Sequence, residues 1–319
     1  MNSNSQQSKI IPSLWVEKYR PKLVKDCVFP KHIKKTVDAI VSSGNCEHLL
    51  IVGSAGNGKT TLARALCNEL DLDYIFINAS DERNIDTIRT KVKEFASTGS
   101  LSGKEKAIIL DEADGLGSTA QPALRAAMEE FHFVKFFLTA NFKANLIKPI
   151  HSRCVTLDFG FNKNEKQDLM VATTKRVLYI LKEENVDYDI AVVAEVIKKY
   201  FPDFRRLLNE LQSYSRTGKI DAGMLTAMDK FSVSELVNYI KDKDLGKIKQ
   251  WVADNESTDP AQFYRELFNE LEVKLTTESI CEAILILDDA QRGVAIAADR
   301  ALNDLAMIVR IIGQCMFKG

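Results

Sequence analysis

Gly53-Ser54-Ala55-Gly56-Asn57-Gly58-Lys59-Thr60 fits the pattern G-x-x-x-x-G-K-[ST]. It follows an apolar run at residues 48–52 and precedes a segment of helical period at 60–70. Strand, glycine loop and helix in that order make a phosphate-binding loop. The residue types follow from the task. Gly56 and Gly58 allow backbone dihedrals closed to other residues. Successive N–H groups, Asn57 and Thr61 included, then converge on phosphate oxygens, and the helix N-terminus adds its dipole. Lys59 reaches the β- and γ-phosphates of ATP, and the Thr60 hydroxyl is a ligand for Mg²⁺.

A second element lies downstream. In Ala107-Ile108-Ile109-Leu110-Asp111-Glu112-Ala113-Asp114 an apolar run ends in an acidic pair. Asp111 suits the Mg²⁺ hydration shell. Glu112 is then placed to polarise an attacking water, so the site should hydrolyse ATP as well as bind it. Leu138-Thr139-Ala140-Asn141 ends the next run, where Asn141 either orients that water or caps the strand. Arg205, in Phe201-Pro202-Asp203-Phe204-Arg205-Arg206, opens a later helix; by residue type alone it reads as a surface charge.

Between about residues 15 and 160 short apolar runs (48–52, 74–78, 107–110, 134–139 and 155–159) alternate with segments of helical period. That alternation, with near-continuous apolar strands, predicts a parallel sheet covered on both faces. After residue 159 it stops. Asn162 with Glu165 forms a capping box, and Asp189 and Asp203 can cap two further helices. Asp259-Pro260 pairs an N-cap with proline at the first helical position. Leu302, Leu305, Val309, Ile312 and Met316 form an apolar stripe near the C-terminus. The expected division is an α/β core over 1–160, a small helical unit over 161–229 and a helical unit over 230–319.

The 319 residues carry 43 Lys+Arg against 44 Asp+Glu, and 45% are hydrophobic. This excludes a disordered, collagenous or strongly basic chain. Any contact with nucleic acid must rest on local positive charge or on repetition in an oligomer. Six cysteines are scattered singly, as buried thiols of a reducing compartment are. The polar N-terminus has no apolar core of a secretory signal, and no run is long enough to span a bilayer, so a cytoplasmic protein is expected.

The ordered set of motifs resembles the AAA+ ATPases, and within them the sliding-clamp loaders of the replication-factor-C type. Trp15-Val16-Glu17-Lys18-Tyr19-Arg20-Pro21 resembles their N-terminal box, and residues 78–86 (NASDERNID) their next one. Ser152-Arg153-Cys154 matches their SRC motif, and residues 121–129 resemble their AQxALRRxME helix, with Ala126 in place of the second Arg. The stretch 201–223 resembles the large subunits of loaders from T-even-type phages. Ala55 stands where the family often has Pro, which should loosen the loop slightly.

The resemblance implies an AAA+ P-loop domain with a parallel sheet, a helical lid and an all-α collar for oligomerisation. It implies adenine-side contacts from Val16, Glu17, Lys18, Tyr19 and Val28. Asn141 would be sensor 1, Arg205 sensor 2, and Arg153 an arginine finger on the neighbouring subunit's ATP. Arg83, Arg89 and Lys93 would meet DNA phosphates, although the same charges suit a solvated helix face. Gln121 and Arg125 would couple DNA contact to the ATP site. The implied partners are a sliding clamp, primer–template DNA, and further copies with a distinct subunit in an open ring. ATP binding would open the clamp, and DNA-triggered hydrolysis would release it closed. A DNA helicase or translocase and a non-hydrolysing scaffold subunit are the alternatives.

Overall fold

A computed structural model describes residues 14–80, 85–98, 103–216, 218–224, 233–255, 259–294 and 296–318. They divide into two compact units, Met1–Ala222 and Gly223–Gly319.

The first unit opens with α1 (Trp15–Lys18) and α2 (Lys31–Ser43). Then β1 (Leu49–Val52), α3 (Lys59–Glu69), β2 (Asp73–Asn78), α4 (Ile85–Ser97), β3 (Lys106–Asp111), α5 (Ala120–Glu130), β4 (Val134–Ala140), α6 (Lys148–His151) and β5 (Val155–Asp158) follow. The five strands form one parallel sheet in the order β2-β3-β4-β1-β5. Side chains alternate between faces along a strand, and both faces are covered. Leu50, Val52, Ile108, Leu110, Phe136 and Leu138 pack with Val92 of α4 and Leu124 and Met128 of α5. Leu49, Ile51, Ile109 and Phe137 pack on the other side with Ile33 and Val37 of α2 and Leu62 and Leu66 of α3. Burying each such side chain contributes roughly 1.5–3 kcal/mol, which is why the strands read as unbroken apolar runs.

Lys106 and the half-buried His48 add polar anchors to this core. The buried Lys106 ammonium donates to the Phe95 carbonyl (2.6 Å) and the Thr98 hydroxyl (3.0 Å). Its charge thus meets the negative end of α4. His48 Nδ1 accepts from the Phe136 N–H at 3.1 Å, and burial holds this imidazole's pKa down, in the neutral form the bond requires.

The register aligns the carboxyl ends of the strands. Val52 pairs with Ala140, and Leu110 with Leu138. The segments leaving β1, β3 and β4 therefore emerge side by side, at the edge where open parallel sheets bind ligands.

The rest of the first unit is α7 (Lys163–Glu183), β6 (Asp187–Tyr188), α8 (Ile190–Tyr200), α9 (Phe204–Ser215) and β7 (Lys219–Ile220). Asn162 makes the capping box with Glu165, and Asp189 and Asp203 cap α8 and α9. Val177, Ile180, Leu181, Val193, Ile197 and Leu211 are buried here.

The second unit holds α10 (Val233–Lys241), α11 (Leu245–Asp254), α12 (Pro260–Lys274), α13 (Thr277–Val294) and α14 (Arg300–Gln314). Its core gathers Leu236, Ile240, Trp251, Phe263, Leu267, Leu287, Ile308 and Ile311. Within it the Tyr264 hydroxyl donates to the buried Asp304 carboxylate at 2.5 Å. The apolar stripe read near the C-terminus packs inward only in part, through Leu305 and Ile312. Met307, Ile308 and Ile311 are buried, whereas Leu302, Val309 and Met316 are exposed. The helix carries two apolar faces, and helical period alone cannot rank them. The expected boundary at 229/230 lies outside the described residues.

The cysteines are less uniform than their scatter suggests. Cys46, Cys67 and Cys315 are buried, Cys27 and Cys154 half-buried, and Cys281 exposed. Burial pushes the thiols of Cys27, Cys46, Cys67 and Cys154 up to about 12, leaving them protonated. No helix of the described residues is long and apolar enough to cross a membrane.

Candidate nucleotide site

The crevice begins at the loop between β1 and α3. Gly56 and Gly58 sit at φ +72° and +98°, in the left-handed region that favours glycine. A Cβ on Gly56 would lie 1.8 Å from Asp203 Oδ1. The close fit has a polar counterpart: the Phe204 N–H donates to the Gly56 carbonyl at 3.0 Å. The first turn of α9 is thereby seated on the loop, and Arg205 lines the same cavity. Arg206 instead lies over the Tyr200 ring, 5.0 Å from its centre.

Lys59 is buried, and its ammonium donates to Gly53 O (2.8 Å), Ser54 O (2.7 Å) and Asn141 Oδ1 (2.9 Å). Burial lowers its pKa to about 8, against the opposing pull of Asp111 and Asp114. Asp111 Oδ1 accepts from both the Thr60 and the Thr139 hydroxyls, each at 2.6 Å. The Thr139 hydroxyl in turn accepts from the Glu112 N–H at 3.0 Å. Glu112 has φ +54°, a conformation that costs a non-glycine residue about 1 kcal/mol or more. Its carboxylate accepts from the Ser80 hydroxyl at 2.5 Å. Asp114 Oδ2 accepts from the N–H groups of Asn141 (3.0 Å) and Phe142 (2.8 Å), fixing the strand end that carries Asn141.

The opposite wall comes from the N-terminal box and α7. Val16 and Tyr19 of the box and Arg176 of α7 line the cavity, as do Val28 and Phe161 and, from the phosphate loop and α3, Asn57 and Thr61. Glu17 and Lys18 do not, because both are engaged elsewhere. The Glu17 carboxylate is bound by Arg20, which also holds its pKa low, and Lys18 pairs with Glu184 at 2.7 Å. Tyr19 donates its hydroxyl to Glu184 (2.5 Å) and its carbonyl accepts from Arg176 (2.8 Å). The Trp15 N–H reaches Gln212 Oε1 of α9 at 2.9 Å. The box is thus a strap between the sheet domain and the helices after it.

The remaining candidates stand apart from the cavity. Arg153 Nη1 donates to the Pro149 carbonyl at 2.7 Å, and Nη2 bonds Glu129. Gln121 is buried, donating to Leu116 O (3.1 Å) and Asn145 O (2.9 Å) and accepting from the Ile147 N–H (2.8 Å). Arg125 lies 3.8 Å from Glu129 on the same helix. Lys93 is exposed on α4. Arg83 lies outside the described residues, as does the side chain of Arg89.

Residues 49–161 match the family of ATPases associated with various cellular activities. Residues 165–226 match the AAA+ ATPase lid domain of the sliding-clamp-loader large subunit. The sliding-clamp-loader large subunit of Enterobacteria phage T4 is 33% identical over 309 residues, covering 95% of this chain and 96% of that protein. This chain belongs to the sliding-clamp-loader large-subunit family. It is an AAA+ ATPase of that family. The replication factor C small subunit of Aeropyrum pernix is 40% identical over 220 residues, which cover 67% of this chain and 66% of that one. The Holliday junction branch migration motor RuvB of Thermotoga maritima shares the fold, with a TM-score of 0.53 at 17% identity over 69% of this chain and 78% of that one.

The sequence assigns no role in the site of a clamp-loader chain to Thr139, Ser80, Asp114, Arg20 or Arg176, and reads Asp203 as a helix cap alone. Thr139 and Ser80 sit inside boxes whose letters were legible, but which neighbour each hydroxyl faces depends on strand register. Arg176 lies in mid-helix, where no local pattern marks it.

Proposed function

We propose that this chain is the ATP-hydrolysing motor of a sliding-clamp loader, acting on primer–template DNA in an open ring with other copies and a distinct subunit. The observation that carries this reading is the convergence of Lys59, Thr60, Asp111, Glu112 and Asn141 at one sheet edge, beneath the lid residue Arg205.

The loop N–H groups and Lys59 bind the phosphates of ATP, and Val16, Tyr19 and Val28 flank the base. Thr60 and Asp111 offer the hard oxygen atoms that would hold Mg²⁺. The ion, when bound, neutralises phosphate charge. A water in line with the γ-phosphate attacks phosphorus, Glu112 takes its proton, and ADP departs with the broken bond's electron pair. Asn141 and Arg205 steady the γ-phosphate from the sheet and from the lid. Arg153, displayed away from its own cavity, supplies charge to the neighbouring subunit's ATP, so that turnover depends on correct assembly. Gln121 and Arg125 on α5 relay contact with DNA, which meets Arg83, Arg89 and Lys93 through sequence-independent phosphate contacts. The exposed Leu302, Val309 and Met316 supply an assembly face. A helicase of the two-motor type would need a second nucleotide-binding sheet. Among the described residues beyond 160, the named strands are the two-residue β6 and β7.

Glu112→Gln tests the reading. The variant should bind ATP as the parent does and hydrolyse it at least about 100-fold more slowly, leaving the clamp bound in a pull-down with DNA. Turnover and clamp release at the parental rate would remove Glu112 from the water-activating role.

A further inference from the structure

We propose that Glu129 is a positioning residue that holds Arg153 ready for the neighbouring subunit's ATP. The proposal rests on reading Arg153 as a group that acts across the subunit interface.

Arg153 is about one-third exposed, with 31% of its side chain accessible, and it does not line its own chain's cavity. A lone surface arginine samples many rotamers, and fixing it is an entropic cost that assembly would otherwise bear. Here both terminal nitrogens are already engaged. Nη1 donates to the Pro149 carbonyl at 2.7 Å, in the turn that carries Arg153 itself. Nη2 bonds the Glu129 carboxylate, from the C-terminal end of α5. Two anchors from different directions set both the position and the plane of the guanidinium. Its remaining N–H groups are left for an acceptor outside the chain.

Charge supports positioning and argues against quenching. Arg125, one helical turn before Glu129, lies 3.8 Å from the same carboxylate. Two guanidiniums therefore share one carboxylate, and the cluster keeps a net positive charge toward an incoming phosphate. Exposed ion pairs contribute little to stability, and Glu129 is itself 46% accessible. Its removal should leave the fold intact and act on the arginine.

The backbone beneath Arg153 is referenced to the same helix. Gln121, near the start of α5, clamps Asn145 O at 2.9 Å and the Ile147 N–H at 2.8 Å, immediately before α6. Glu129 near the other end of α5 holds the tip. One rigid element thus places both the base and the head of the arginine, which matters because small misplacements of a charge-stabilising group cost rate steeply.

The test uses the full chain assembled with its partner subunit, clamp and primer–template DNA. Glu129→Ala should lower kcat for ATP about tenfold, with KM and the thermal midpoint unchanged. Arg153→Ala should lose at least as much, and the double variant should equal Arg153→Ala alone. In mixed assemblies, wild-type chains should turn over more slowly beside Lys59→Ala/Glu129→Ala chains than beside Lys59→Ala chains. If Glu129→Ala fails to assemble, Glu129→Gln, which keeps the shape, is read in its place with the same split. Parental kcat in the Glu129 variant while Arg153→Ala is slow would overturn the positioning role and leave the trans arginine standing. So would a double variant slower than Arg153→Ala. Parental kcat in Arg153→Ala would overturn both.

Discussion

Lys59 illustrates how one residue can be prepared for a ligand by neutral partners. Two backbone carbonyls and the Asn141 amide oxygen satisfy its ammonium without cancelling its charge. Burial lowers its pKa to about 8, so in the free protein the charge is present below that pH and fades above it. A triphosphate favours the charged form. Binding should therefore weaken as pH rises above about 8, and should take up a proton there. Calorimetric titration in two buffers of different ionisation enthalpy would measure the uptake. Affinity independent of pH between 7 and about 9.5 would contradict it. At this scale the letters of the phosphate loop and of the acidic pair point to Lys59, Thr60, Asp111 and Glu112, which line one cavity. They could not disclose that Thr139 and Thr60 share one oxygen of Asp111, because that depends on how β4 and β3 lie together. Glu17 and Lys18 belong to a box that reads as a ligand contact, yet Arg20 and Glu184 claim them. Lys18 is claimed by Glu184, just past the end of α7 and far along the chain, whereas Glu17 is claimed by Arg20 three residues on.

Among the elements, the seat of α9 on the phosphate loop has the clearest consequence. Gly56 at φ +72° leaves room for the Asp203 carboxylate and offers its carbonyl to the Phe204 N–H. Gly56→Ala would force a Cβ into that carboxylate and strain the backbone. It should cost about 1–3 kcal/mol of stability in urea unfolding and weaken ATP binding, since Arg205 travels with the displaced turn. Unchanged stability together with unchanged affinity would mean that the seat matters to neither. Elements themselves were legible where a local rule governs them. The five apolar runs became the five strands, and Asn162, Asp189, Asp203 and Asp259 cap the helices they announce. The order β2-β3-β4-β1-β5 was not legible, because strand neighbours are chosen by long-range packing. On α14 the apolar residues exceed what one face can bury, so period left open which stripe turns inward.

For the whole molecule, the balance of 43 basic against 44 acidic residues excludes a chain that holds DNA by bulk charge alone. It is compatible with a motor whose positive groups are local, on α4 and α5, and are multiplied by repetition in an assembly. The family relation covers nearly the full chain, and the account built on it is that ATP turnover is conditional on assembly, clamp and DNA. The most direct measurement is steady-state ATP hydrolysis by the full chain with its partner subunit, compared with and without a sliding clamp and primer–template DNA. The account predicts slow turnover by the proteins alone, stimulation of about tenfold or more when clamp and DNA are both present, and none in Lys59→Ala. Turnover that is already maximal without clamp and DNA, or that matches the Lys59→Ala background in their presence, would contradict it.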